Sequence, residues 1–203
     1  MPNWCSNTLE ISHEDKKMMK RVVKGYNKSG LLREFIPIPK ELVDTVAGWF
    51  GEGTYDQKLL SYREQLNMEF FGYKNWYDFC VVEWGTKWDI GCRDGYDKLS
   101  MSDIKNNTLK IGFDSAWSPP TDAYEKLCDM GFKIKAYYYE GGCAFCGVWE
   151  NDRDESYDIS GNSEWVKKNI PSDIDEEFAI SMNMAEWEAE EKAEAENAET
   201  EES

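Results

Sequence analysis

From Phe132 to Trp149 the chain has little choice of structure. Phe132, Ile134, Ala136 and Tyr138 alternate with outward Lys133 and Lys135, the two-residue period of a strand with one buried face. Gly141-Gly142 supplies a turn, and Cys143 to Trp149 returns as a second strand. Tyr157 and Ile159 add a candidate edge strand. Upstream, a hairpin-like stretch leads to Leu109, Ile111 and Phe113, which alternate as one strand face. Trp4 to Ser12 opens the chain in the same way, with Leu9 and Ile11 alternating against Thr8 and Glu10.

Helical signals fall between these strands. Ser12 or His13 starts a helix to about Val23, with Met18, Met19, Val22 and Val23 as its apolar stripe and Gly25 as its stop. Phe35-Ile36-Pro37-Ile38-Pro39 reads as an extended crossing segment, since each proline removes a ladder donor. Residues 40–74 read as a helical insertion broken at Gly48, Gly51 and Gly53. Asn75 is an N-cap with Asp78 three residues on, and Trp76, Phe79, Cys80 and Trp84 share one helical face before Gly85. Trp88 then begins a strand. After Pro119-Pro120, Asp122 and Glu125 form a capping-box pattern for a helix to Met130, with Leu127 and Cys128 inside and Gly131 as the stop.

This order predicts an α+β fold of the ferredoxin-like class, with helices on one face of an antiparallel sheet. The body spans 1–171. Ser172 and Asp175 start a further helix in which Phe178, Met182, Met184 and Ala185 can dock. From Glu188 the chain is nearly all Ala and Glu and is expected to fray, so 172–203 reads as an acidic helical tail.

Charge divides along the same boundary. The formal net charge is −17, and residues 172–203 hold 13 acids against one lysine. Neither part carries the basic stripe of direct nucleic-acid binding. No stretch is long and apolar enough for a membrane span. The start Met1-Pro2-Asn3-Trp4-Cys5 lacks the pattern of a signal peptide, so a cytoplasmic location is expected and the six cysteines are expected to be reduced. Cys143 and Cys146 form a lone CxxC with a single histidine, His13, in the whole chain. A structural zinc site wants four ligands, so these cysteines read as small buried strand residues and no metal or cofactor is expected.

Pro2-Asn3-Trp4-Cys5-Ser6-Asn7, Phe35-Ile36-Pro37-Ile38-Pro39, Asn75-Trp76-Tyr77-Asp78, Trp84-Gly85-Thr86-Lys87-Trp88-Asp89 and Ala116-Trp117-Ser118-Pro119-Pro120 follow one another in that order. That order resembles the YubB-type ferredoxin-like domain family, small proteins carried by bacteriophages and plasmids. The resemblance spans about residues 2–160 and leaves the acidic tail outside. It implies a ferredoxin-like fold and a mobile-element origin, expressed inside a bacterial host cell. It carries no activity with it.

The nine tryptophans supply the functional hypothesis. Trp76 and Trp84 lie at core spacing. Trp4, Trp88 and Trp117 sit at turns beside polar residues, where loops carry function. With Asn3, Lys87, Asp114 and Ser118 they make a candidate pocket in which a nucleobase stacks on Trp88 and Trp117 while Lys87 neutralises phosphate. The reading is a non-enzymatic accessory protein that sequesters a small nucleotide-type ligand in counter-defence. One alternative is an acidic protein that binds and inhibits a host protein, with nucleic-acid mimicry as its sharper form. Another is a carboxylate and Mg²⁺-dependent hydrolase using Asp78, Glu83, Asp89 or Asp114. Polar residues that merely cap turns remain the competing explanation for the same positions, and a homo-oligomer is left open.

Overall fold

The computed structural model describes residues 3–28, 30–92 and 97–201, the side chains of 196–201 excepted. Five antiparallel strands form one sheet: β1 (Trp4–Ser12), β2 (Thr108–Ala116), β3 (Lys133–Glu140), β4 (Phe145–Glu150) and β5 (Arg153–Asp158), in the order β2-β1-β3-β4-β5. Leu9 pairs with Ile111 on one side and Ala136 on the other. Because β2 and β3 both run antiparallel to β1, they are parallel to each other. The helix between them, α6 (Thr121–Asp129), makes a crossover with β1 inserted between its strands. The α+β, ferredoxin-like expectation is met.

One sheet face carries the larger core. Leu9, Ile11, Leu109, Ile111, Phe113, Ile134, Ala136 and Trp149 point into it. Helices α1 (Lys16–Lys28), α2 (Leu31–Phe35), α5 (Trp76–Trp84) and α6 close over them, with Met19, Val22, Leu32, Phe79, Trp84 and Leu127 buried. Removal of this much apolar surface from water is the main force on the fold.

The opposite face is also covered, which differs from the expectation of helices on one face only. Tyr137 and Cys146 project there and pack with Val166 of α7 (Ser163–Asn169), Ile174 of α8 (Ser172–Phe178) and Ile180 of α9 (Ile180–Glu201). The chain beyond Pro171 therefore begins as part of the body, and Asp173 accepts a 3.0 Å hydrogen bond from the Tyr137 hydroxyl. Phe178 and Met184 pack against this cluster, whereas Met182 is exposed. Ala179 at φ 51° separates α8 from α9, and Asp175 bonds Ser181 through both backbone N–H and hydroxyl. The Glu188 carboxylate accepts from Ser163 N and Oγ at 2.7 Å each, tying α9 back to the start of α7. Helix α9 continues to Glu201.

Several boundaries move for identifiable reasons. Helix α1 starts at Lys16 under an Asp15 cap and runs through Gly25 to Lys28. Gly25 is a site of close approach: a Cβ there would lie 2.8 Å from Glu34 Cβ. At α6 and α8 the caps are Pro120 and Pro171, so Asp122 and Ser172 fall inside the first turn instead of starting a capping box. Strand β4 begins at Phe145, leaving Cys143 exposed in the turn while Cys146 is buried. Trp88 lies in a bend and not in a strand, and part of the hairpin expected before Leu109 falls on 93–96, outside the described residues. The insertion contains α3 (Lys40–Val43) and α4 (Tyr55–Phe71).

Candidate functional site

Two loops and the start of β1 meet at one end of the sheet. The first loop leaves α5, whose ends match the sequence signals: Asn75 Oδ1 accepts from the Tyr77 and Asp78 amides, and Gly85 ends the helix at φ 77°. Trp84 is buried and donates its indole N–H to the Ile36 carbonyl at 3.1 Å. The buried Thr86 hydroxyl donates to the Ala116 carbonyl at 3.1 Å and accepts from the Ala116 amide at 3.2 Å, pinning this loop to the end of β2. Asp89 accepts from the Leu32 and Arg33 amides at 2.8 and 3.0 Å and so caps α2. Burial pushes its carboxyl up to about 6, against those amides and the Arg33 charge, which lower it.

The second loop is the corner after β2. Trp117 adopts φ 68°, a left-handed conformation that costs an L-residue energy unless the surroundings hold it. They do: its amide donates to Asn3 O at 3.0 Å, and the Ser118 hydroxyl donates to Gly85 O at 2.8 Å. Ser115, itself bonded to Asn7 Nδ2, donates to Ser118 O at 2.7 Å.

Between these loops stands Lys87. Its ammonium lies 4.8 Å from the Trp88 ring centre, 5.3 Å from that of Trp117 and 5.6 Å from that of Tyr77. Trp4 closes the group, its ring 5.6 Å from Trp88 at a 37° tilt. Trp4 and Trp117 each remain 42% exposed, so the rings form an open face and not a sealed core. Such cation–π contacts are worth ~0.5–2 kcal/mol, rising as the site is desolvated.

The structure thus joins Trp4, Lys87, Trp88 and Trp117 in one patch. Asn3 and Ser118 hold its backbone. The Asn3 amide also approaches Cys143 Sγ at 3.5 Å, beside the turn where buried Glu140 accepts from the Gly142 and Cys143 amides. Asp114 accepts from Ser6 Oγ at 3.0 Å across the β1–β2 pair, on the sheet face that Trp4 shares by alternation. A cleft of about 290 Å³ opens behind the corner, lined by Ser118, Asp122, Tyr138 and Asp154 among others. Tyr77 was missed from sequence. Its signal was an aromatic off the Trp76–Phe79–Cys80 face of α5.

Three of the four carboxylates considered for metal chemistry are engaged in separate structural contacts: Glu83 with Lys126 and Tyr73, Asp89 with α2, Asp114 with Ser6. Among the described residues no group of three or more His, Cys, Asp or Glu could hold a metal ion. No helix among them is long and apolar enough to cross a membrane.

Residues 95–202 match the family model of the ferredoxin-like domain in Api92-like protein. The chain belongs to the Api92-like family. The crystal structure of a protein api92 from Yersinia pseudotuberculosis aligns with 80% of this chain and 99% of that one, at 12% identity and a TM-score of 0.40. No match is found among curated proteins. The Api92-like match runs from before β2 through α9, so the family's domain takes in the C-terminal helices that the sequence reading set apart as a tail. Trp117 lies within it. Asn3, Trp4, Lys87 and Trp88 lie in the preceding part of the chain.

Proposed function

We propose that this protein is a binding module whose aromatic–lysine patch takes a small ligand combining a planar ring with an anionic group, a nucleotide being the best fit. The observation that carries this is the state of Lys87. In a chain of net charge −17 it forms no ion pair among the described residues and is held instead by three aromatic rings. A cation kept from carboxylates but left half-buried can accept a phosphate. The exposed faces of Trp4 and Trp117 offer stacking worth ~1–3 kcal/mol per base. Thr86, Asn3 and Ser118 fix both loops before any ligand arrives, which lowers the ordering cost of binding.

A YubB-type origin on a phage or plasmid, suggested by the five ordered motifs, fits a cytoplasmic counter-defence protein that sequesters a nucleotide signal. Titration calorimetry of cyclic and linear nucleotides against wild type and Trp117→Ala tests the reading. Binding to wild type that Trp117→Ala weakens at least tenfold supports it. No heat from any nucleotide in the panel removes it.

A further inference from the structure

Helix α4 wears its polarity inside out. Its inward face is held by amides. Gln57 Oε1 accepts from the Phe50 amide at 2.9 Å, and Asn67 Nδ2 donates to Thr45 Oγ1 at 2.9 Å and Lys74 O at 2.7 Å. Leu60 is the one buried apolar side chain of α4. Its outward face carries Tyr55 (78% exposed), Leu59 (50%), Tyr62 (61%) and half-buried Leu66, ending at Phe70 (74%). Spacings of four, three and four residues put Tyr55, Leu59, Tyr62 and Leu66 on one stripe, the seam of a two-helix coiled coil, and Phe70 extends it by a further four. A monomeric surface rarely leaves such a contiguous apolar stripe to water.

We infer that two copies of this chain pair antiparallel through α4. The seam is self-complementary in that direction and centred on itself: Leu59 meets the partner's Tyr62, Tyr55 meets the partner's Leu66, and two-fold symmetry repeats both contacts. Charge agrees with the register. Asp56 and Arg63 lie seven residues apart on the same flank of the stripe, to either side of its centre, so antiparallel pairing brings Asp56 towards the partner's Arg63 twice over. A parallel pair would instead face Arg63 with the partner's Lys58, on the other flank of the stripe, and would offer Asp56 no arginine. Arg63 otherwise donates to the Asp44 carbonyl at 3.3 Å, which leaves other guanidinium N–H groups for a carboxylate.

Sedimentation velocity of the full chain from micromolar to submillimolar concentration reads this directly. Wild type sediments at twice the monomer mass. Leu59→Glu gives monomer while circular dichroism shows undiminished helix, which separates lost pairing from lost folding. Asp56→Arg and Arg63→Asp each weaken dimerisation severalfold, and combining them in one chain restores it. A wild type that stays monomeric throughout the range overturns the inference, as does a Leu59→Glu variant that remains dimeric. Failure of the double charge swap to recover overturns the antiparallel register. A monomeric wild type that binds another helical protein through Leu59 would mark α4 as a heterotypic surface and equally refute self-pairing.

Discussion

The Lys87 ammonium stands 4.8 Å from the ring centre of Trp88 and 5.3 Å from that of Trp117, so the cation offered to a ligand is already positioned by the rings that would flank it. Replacing it with methionine keeps the packing of the stem and deletes the charge. Lys87→Met should lower stability by about 0.5–2 kcal/mol and reduce nucleotide affinity more than tenfold. Urea unfolding and calorimetry measure the two separately. Equal nucleotide affinity in the variant would take Lys87 out of the site.

Trp117 separates conformation from contact. Glycine accepts φ 68° without the cost an L-residue bears, so Trp117→Gly gains backbone relief of ~1 kcal/mol against the loss of a half-exposed ring. The expected result is a midpoint close to wild type with nucleotide binding abolished. A large fall in thermal midpoint would show that the ring's packing dominates instead.

Thr86 should matter more than its size suggests. Thr86→Val strips the buried Ala116 amide of its partner and leaves the Ala116 carbonyl to the Ser118 amide alone, a loss of about 1–3 kcal/mol. Thr86→Ser keeps the hydroxyl and should recover most of it. Equilibrium denaturation of the pair distinguishes hydroxyl from methyl; a stable Val variant would mean the loop is held elsewhere.

Asp89 gives the stability a defined pH dependence. Its folded value of about 6 lies above the ordinary 3.8, so the native state holds the proton more tightly than the unfolded chain does. Its contribution is therefore most favourable below about pH 4, declines as pH rises towards 6, and is flat above. Asn cannot titrate, so the stability of wild type relative to Asp89→Asn should fall between pH 4 and 6. Urea midpoints of both proteins at half-unit steps check this, and parallel curves would refute it.

The C-terminal segment should divide at Glu188. Ending the chain after residue 190 keeps the Ser163 bonds and the burial of Ile174 and Ile180, and should leave the midpoint nearly unchanged. Ending it at 171 exposes Tyr137 and Cys146 and removes two isoleucines whose burial is worth ~1.5–3 kcal/mol each. Thermal scans of both truncations test the boundary.

What the sequence shows depends on how local the cause is. Helix α5 is legible at both ends because Asn75 and Gly85 act on their own neighbours. The β3–β4 hairpin is legible because alternation and a turn suffice. Trp88 is misplaced because Thr86 bonds Ala116, 30 residues away, and no local pattern announces that latch. Helix α7 went unread: Trp165 and Val166 are one short apolar turn, and it is the sheet beneath that gives them something to cover. In the site, the chemistry-bearing types were recognisable as Trp and Lys at polar turns. The convergence of Tyr77 on Lys87 required the fold.

Strand β1 precedes the other four strands in the sequence, yet it ends as an interior strand, between β2 and β3. Ser6 waits 108 residues for Asp114, and its other neighbour, Tyr139, comes later still. A growing chain therefore emerges with a strand that has no edge to join until most of the sequence has been synthesised. High separation of this kind slows folding and leaves strand edges open to wrong partners. The same segment carries Trp4 and the Asn3 carbonyl that fixes Trp117, so the binding face can assemble only once β2 has joined β1.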